Sequence, residues 1–270
     1  MAPVDTAPVP LPKVSKQLVV YDFDWSLADQ DTDRWVHEVL APRLRRKLKA
    51  LKSEVQFTDL CAQLLVELHE VEGKSRQEIE DALKRMPFHP AMIKGVKDLK
   101  QKSKDEGQVQ TTFLLLSNSN QVYIDTILGH HGLLPPNFDL FTEIITNPAT
   151  WTPEGLLKLE RRIPADSPNQ HSCSVGCSPN MCKGEELEAF LERHGGRSNF
   201  ERIVYVGDGG NDYCPVLRLA EKDLALVRRY RGLEEKITKV GNVKAGIRYW
   251  AGAWEVEGIL RELGGEQISD

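Results

Sequence analysis

Leu18, Val19, Val20 and Tyr21 form an unbroken apolar run, β-branched in part and too short for a buried helix. Such a run reads as a strand covered on both faces, which belongs in the middle of a parallel sheet. Over 34–90 the pattern changes to helical spacing: Leu60, Leu64, Leu65 and Leu68, then Ile79, Leu83 and Met86. Ile93, Val96 and Leu99 begin another helix. Strand patterns return at 111–116 and 141–146, on either side of a helix carrying Val122, Ile124, Ile127 and Leu128. Residues 149–182 are irregular and rich in Pro, Ser and Cys. A helix over 185–194, strands over 202–206, 224–227 and 245–250, and a closing helix over 256–263 complete the series. There is no internal repeat.

Strand, crossover and strand in repetition predict an α/β fold: a Rossmann-like parallel sheet flanked by helices and joined by right-handed crossovers. The first crossover is far longer than one helix requires, and an inserted α-helical subdomain explains it. The expected organisation is a disordered leader over 1–16, a core over 17–33 and 91–263, a helical insertion over 34–90 and a tail over 264–270.

Composition narrows the function. A chain with 40% hydrophobic and 28% charged residues can bury a full core. Its net charge of −5 gives no general attraction to nucleic acid, and no apolar stretch approaches the ~20 residues of a membrane span. Neither partner is expected, and nothing bears on oligomeric state. Residues 1–16 lack the basic start and continuous apolar core of a secretory signal. With an odd number of cysteines, five, the chain reads as cytoplasmic with free thiols. The basic run over 43–49 reads as a solvated helix face, with steering of an anionic substrate as the alternative.

Polar residues follow three of the apolar runs: Asp22 and Asp24, Ser117 and Asn118, Asp208 and Asp212. Open α/β sheets bind ligands at the carboxyl ends of their strands, so parallel neighbours would bring these residues to one edge. Asp22 and Asp24 can converge as their strand breaks into a loop, and close carboxylates repel unless a cation or a proton lies between them. The acids supply oxygen ligands suited to Mg²⁺. Gly209 and Gly210 allow close backbone approach. Ser117 is expected at a helix N-terminus, where backbone N–H groups favour an anion, and Lys183 opens a helix and adds a point charge. Together these make a phosphate cradle in which a carboxylate nucleophile beside a carboxylic acid splits phosphoryl transfer into two steps. Singly, each has a plainer reading: Ser117 as a helix cap, Lys183 as surface charge, 207–212 as a turn.

In order along the chain, Asp22-Phe23-Asp24-Trp25-Ser26, Ser117, Lys183 and Gly207-Asp208-Gly209-Gly210-Asn211-Asp212 resemble the four motifs of the haloacid dehalogenase-like phosphatases. More narrowly, Asp31-Thr32-Asp33, Met86-Pro87-Phe88, Thr146-Asn147-Pro148, the stretch 173–183 and the run 203–215 look like the phosphoethanolamine/phosphocholine and pyridoxal-phosphate phosphatase family. The resemblance implies Asp22 as nucleophile, Asp24 as acid and then base, and Ser117 and Lys183 as phosphate ligands. It implies Mg²⁺ held by Asp22, the Asp24 carbonyl and Asp208, with Asp212 ligating directly or through water, and the helical insertion as a cap over the site. Ser26 and Gly209 join the implied substrate-binding set. Asp33 matches an acid that reads a cationic amine in the family; Asn118 stands where the amine-reading members carry Asp. The expected substrate is a small phosphorylated metabolite, with phosphocholine, phosphoethanolamine and pyridoxal phosphate as candidates.

Alternatives from the same residues are a pyrophosphatase or phosphotransferase, or a non-catalytic binding protein with a metal-binding cysteine segment. That segment holds His171, Cys173, Cys177 and Cys182, which could bind Zn²⁺. The spacings do not make a paired knuckle, so thiols without metal are expected. Cys61 and Cys214 are expected as buried packing residues.

Overall fold

The structure is a computed structural model that describes residues 11–266. The strands are β1 (Lys16–Tyr21), β2 (Gln110–Asn120), β3 (Glu143–Asn147), β4 (Ala149–Trp151), β5 (Leu157–Leu159), β6 (Arg202–Gly207), β7 (Leu224–Arg228) and β8 (Gly246–Trp250). The helices are α1 (Thr32–Leu40), α2 (Pro42–Leu51), α3 (Phe57–Glu70), α4 (Arg76–Lys84), α5 (Pro90–Lys102), α6 (Gln121–His130), α7 (Lys183–Arg193), α8 (Tyr213–Val216), α9 (Gly232–Val240) and α10 (Ala253–Leu263). Six strands form one parallel sheet in the order β3-β2-β1-β6-β7-β8.

β1 lies between β2 and β6, and its run 18–21 is fully buried. Val19 and Tyr21 face a core built with Val96 and Leu99 of α5 and Leu260 and Leu263 of α10. Leu18 and Val20 face the opposite core, with Leu187 and Phe190 of α7 and Leu233 of α9. Two covered faces are why the strand shows no polar alternation. α5 and α10 pack closely at Gly95, where an added Cβ would lie 3.2 Å from the Glu257 Cα.

Helices α1 to α4 fill the long crossover. The basic run lies on α2 and pairs with acids of α3: Arg43 with Glu67 and Glu72, and Lys47 with Glu67. Those charges are spent largely within the chain, in line with a helix-face reading. Among the described residues, no helix is long and apolar enough to cross a membrane.

Several details differ from the expectations. The irregular stretch contains an antiparallel hairpin of β4 and β5, whose strands are too short to show a period. α9 went unforeseen because only Leu233 and Ile237 of it are buried. β2 continues to Asn120, and it is the Asn120 side chain that caps α6, accepting from the Tyr123 N–H at 3.0 Å. Ser117 is therefore a strand residue and not at a helix N-terminus; its Oγ accepts from the Ser119 N–H at 3.1 Å. Residues 1–10 of the expected leader and 267–270 of the expected tail lie outside the described residues. The rest of the leader is tied to the core: the Leu11 N–H donates to Glu262 at 2.8 Å and the Pro12 carbonyl accepts from Arg202 at 3.0 Å.

Candidate active site

The site starts where β1 stops. The Asp22 N–H still donates to the Val206 carbonyl of β6 at 2.9 Å, and the chain then closes a tight turn over Phe23–Leu27. Trp25 carries that turn with φ of +56°, a left-handed conformation uncommon outside glycine and enriched at functional sites. The turn brings the Asp22 side chain back on itself. Its Oδ1 accepts from the Phe23 N–H at 2.8 Å and from Lys183 Nζ at 2.7 Å. Both bonds fall on one oxygen.

Lys183 comes from the opposite side of the sheet edge, as the first residue of α7. It is only 1% exposed, so its ammonium must be paired, and it also donates to Asp212 Oδ1 at 2.7 Å. Burial alone would lower its pKa, but Asp212 and Asp22 outweigh burial and hold it above the ordinary lysine range. Asp212 is itself crowded. Oδ1 also accepts from the Tyr205 hydroxyl at 2.8 Å, and Oδ2 accepts from the N–H groups of Asp208 at 3.1 Å and Gly209 at 2.9 Å. Four bonds use the acceptor capacity of a carboxylate. The carboxylate thus folds the 207–212 turn around itself, and a Cβ at Gly207 would lie 2.8 Å from its Cγ.

Carboxylate oxygens of Asp22, Asp208 and Asp212 lie within 4.8 Å of one another. Burial raises the Asp22 pKa well above the carboxylate range; Asp212 adds to the rise and Lys183 opposes it. Asp208 is pushed up to about 7 by burial and by Asp212, again against Lys183. One ammonium does not balance three acids, and hard oxygen donors suit a small divalent cation such as Mg²⁺. Asp22 and Asp208 have acceptor capacity left for it. Of the two roles expected of Asp212, ligation directly or through water, the second is the one compatible with a carboxylate whose oxygens already accept four hydrogen bonds.

The Asp24 carboxylate stands apart from that cluster. Oδ1 accepts from the Thr32 N–H at 3.0 Å, and Oδ2 lies 3.2 Å from the Thr32 hydroxyl. Burial raises its pKa well above the carboxylate range, with further contributions from Asp31, Asp33 and Asp22. Asp33 is pushed up to about 7 by burial and by Asp31. Both carboxyls are thus pushed up by burial, but Asp22 has Lys183 opposing the rise, whereas Asp24 has only the Thr32 N–H.

A cavity of about 520 Å³ opens over these groups. Asp22, Asp24, Asp33, Ser117, Asn118, Lys183, Asp208 and Gly209 all line it, so most of the residues singled out in the sequence converge. Two do not. Asp212 lies beneath the lining, and Ser26 is buried in the turn, its Oγ without a partner. The substrate contact expected of Ser26 is thus not available from this position. Asn118 accepts from the Asn211 side chain at 2.9 Å, which joins the second and fourth motifs.

Sequence reasoning missed the cations. Arg34, Arg231 and Lys236 line the cavity, and the Arg231 guanidinium stacks 3.7 Å from the Trp25 ring centre. α3 contributes Phe57 and Thr58 from its first turn. Arg34 follows Asp33 directly and was the one with a local signal. The cysteine segment is rearranged as well. His171 turns away to the Ser178 carbonyl at 2.9 Å, and Cys214 takes the fourth position beside Cys173, Cys177 and Cys182.

Comparison with known proteins places the chain in a family. Residues 17–263 match the family described as "Putative Phosphatase". A thiamine phosphate phosphatase-like protein of Arabidopsis thaliana is 32% identical over 253 residues, 93% of this chain and 96% of its own length. Inorganic pyrophosphatase 2 of the same plant is 31% identical over 256 residues, 93% of this chain and 85% of its length. A pyridoxal phosphate phosphatase of Bos taurus is 30% identical over 256 residues, 92% of this chain and 98% of its length. Among solved structures, a haloacid dehalogenase family hydrolase of Salmonella enterica superposes with a TM-score of 0.54 at 12% identity, covering 88% of this chain and 74% of that one. Apo phosphoserine phosphatase gives a TM-score of 0.51 at 17% identity, with coverages of 83% and 98%. At these identities the structures speak for the fold alone.

Proposed function

We propose, for a chain that belongs to the "Putative Phosphatase" family and is a phosphatase of haloacid dehalogenase-like fold, that it hydrolyses a small phosphomonoester through an aspartyl phosphate. One observation carries the reading. Asp22 has Oδ1 fixed by Lys183 and by the Phe23 N–H, which leaves Oδ2 to attack, while Asp24, two residues on, is held by Thr32 and has its pKa raised by burial and by the neighbouring acids.

Asp22 Oδ2 forms the bond to phosphorus as the ester oxygen leaves. Asp24 gives that oxygen its proton, so the leaving group departs as an alcohol. Asp24, now a carboxylate, takes a proton from water, and the water attacks the phosphorus to free Asp22 and phosphate. Lys183 offsets the charge on the phosphoryl oxygens, and the Ser117 hydroxyl donates to one of them. Mg²⁺, held by Asp22, Asp208 and the Asp24 carbonyl, would neutralise phosphate charge when bound. Asp212 acts through Lys183 and the 208–209 amides as a positioning residue. Helices α1 to α4 serve as a cap that excludes water, with Asp33, Arg34 and Thr58 facing the leaving group. Five cysteines, none of them paired in a disulfide, fit a cytoplasmic enzyme.

The lining restricts the substrate. Asp31 and Asp33 favour a positive or polar head, whereas Asn118 supplies one charge fewer than an amine-reading pair. A second reading has support from Arg34, Arg231 and Lys236, which could hold the second phosphate of pyrophosphate. Phosphate release from phosphocholine, phosphoethanolamine, pyridoxal phosphate, thiamine phosphate and pyrophosphate, with Mg²⁺ and with chelator, separates them. The expected result is Mg²⁺-dependent release with a monoester preferred. Preference for pyrophosphate favours the second reading, and release undiminished by chelator refutes the cation site.

A further inference from the structure

Four cysteines from two parts of the chain bring their sulfurs together beside the active site. Cys173, Cys177 and Cys182 belong to the loop before α7, and Cys214 is in α8, 32 residues beyond Cys182. Cys214 Sγ lies 3.4 Å from Cys173 Sγ and 3.5 Å from Cys182 Sγ, and the sulfurs of Cys173 and Cys177 are 3.6 Å apart. All four lie within 4.8 Å of one another. Four thiolates around one zinc ion, each bond about 2.3 Å and the angles tetrahedral, stand about 3.8 Å apart. The cluster has the size of that tetrahedron, and no pair in it stands out as a disulfide would.

Three of the four sulfurs have a donor aimed at them. The Val175 N–H points at Cys173 Sγ at 3.4 Å, the Glu185 N–H at the Cys182 sulfur, and the Arg218 side chain at the Cys214 sulfur. Such donors offset the negative charge that four thiolates leave on a zinc site. Gly184 makes the space: a Cβ there would lie 2.7 Å from Cys214 Sγ and 3.2 Å from Arg218 Nε. Neutral thiols, weak donors and weak acceptors, give no comparable reason to gather.

We propose that Cys173, Cys177, Cys182 and Cys214 bind one Zn²⁺ as a structural site that fixes the 173–182 loop against the start of α7. The four thiols release their protons to solvent as the ion binds. The site's place gives it a purpose. Cys182 is the N-cap of α7, whose next residue is Lys183, and Cys214 follows Asp212 by two positions. Val175, Cys177 and Asn180 of the same loop line the cavity. One ion would thus join a cavity wall to the start of the helix that carries Lys183 and to the segment that follows Asp212. The proposal is independent of the phosphatase mechanism.

The test is metal content of the full chain, purified without added metal or chelator. About one zinc per chain is expected, with an X-ray absorption spectrum showing sulfur ligands only, at about 2.3 Å. Cys177→Ser and Cys214→Ser should each lower the zinc content at least about tenfold, while Cys61→Ser and Asp22→Asn keep it. Folded wild-type protein that takes up no zinc overturns the proposal, whether its thiols are free or paired as disulfides. So does iron in place of zinc, or full zinc content in Cys214→Ser. Should that variant fail to fold, oxygen or nitrogen ligands in the wild-type spectrum would be decisive against four cysteines.

Discussion

Asp22 and Asp24 are two residues apart and chemically unlike, and the difference comes from what each oxygen touches. Asp22 shares Lys183 with Asp212, whereas Asp24 has only neutral Thr32 donors and three nearby acids. An acid whose pKa is raised in this way matters most when the leaving group is a poor one. Asp24→Asn should lower kcat about 10²–10³-fold on an alkyl phosphate and far less on an aryl phosphate whose phenol leaves readily. Steady-state rates on the two ester classes check this; equal losses would contradict the acid role. These residues were legible because a strand end exposes its polar neighbours in sequence. Tyr205 was not: it lies inside the apolar run of β6 and reads as core, yet its hydroxyl holds Asp212. Cys214 was hidden likewise, since nothing local distinguishes a ligand from a small packing residue.

Between elements, the site depends on a polar junction that no periodicity announces. At the end of β3, Asn147 donates to the carbonyls of Asn118 at 2.7 Å and Ser119 at 2.9 Å. Its Oδ1 accepts from the Arg162 N–H at 3.2 Å and from Asn180 at 2.8 Å, and Asn180 also reaches Thr58 of α3 at 3.1 Å. One buried amide thereby connects β2, the loop after β5, the cysteine loop and the inserted helices. Asn147→Ala should cost about 3 kcal/mol of stability, because it strands several buried partners at once. Denaturant unfolding measures the loss, and a change within ~0.5 kcal/mol would show the junction to be replaceable. The major strands and helices were legible from spacing. The β4–β5 hairpin, α9 and the continuation of β2 through Asn120 were not, since short or polar elements are set by tertiary partners.

For the whole molecule, the order of strands and crossovers was readable, and with it the edge where the motifs meet. The cations of the cavity were not readable, because Arg231 and Lys236 reach the site only through the packing of α9. Gathering so many acids has a cost that depends on pH. Folding raises the Asp33 pKa to about 7 from an ordinary value of about 4. Between those limits the folded protein binds a proton that the unfolded chain has lost, so this group's contribution is present below pH ~4 and is lost as pH rises toward ~7. Asp33→Asn stays neutral throughout. Its Tm relative to wild type should therefore rise between about pH 4.5 and pH 7.5, as thermal unfolding at both would show, and a pH-independent difference would contradict the buried-acid account. The central claim, attack by Asp22, is tested most directly by phosphate release from a cleavable phosphomonoester with Mg²⁺, comparing wild type with Asp22→Asn at matched fold by circular dichroism. The account predicts that the variant loses at least about 10³-fold in kcat while remaining folded. Turnover within about tenfold of wild type would contradict it and remove Asp22 as the nucleophile.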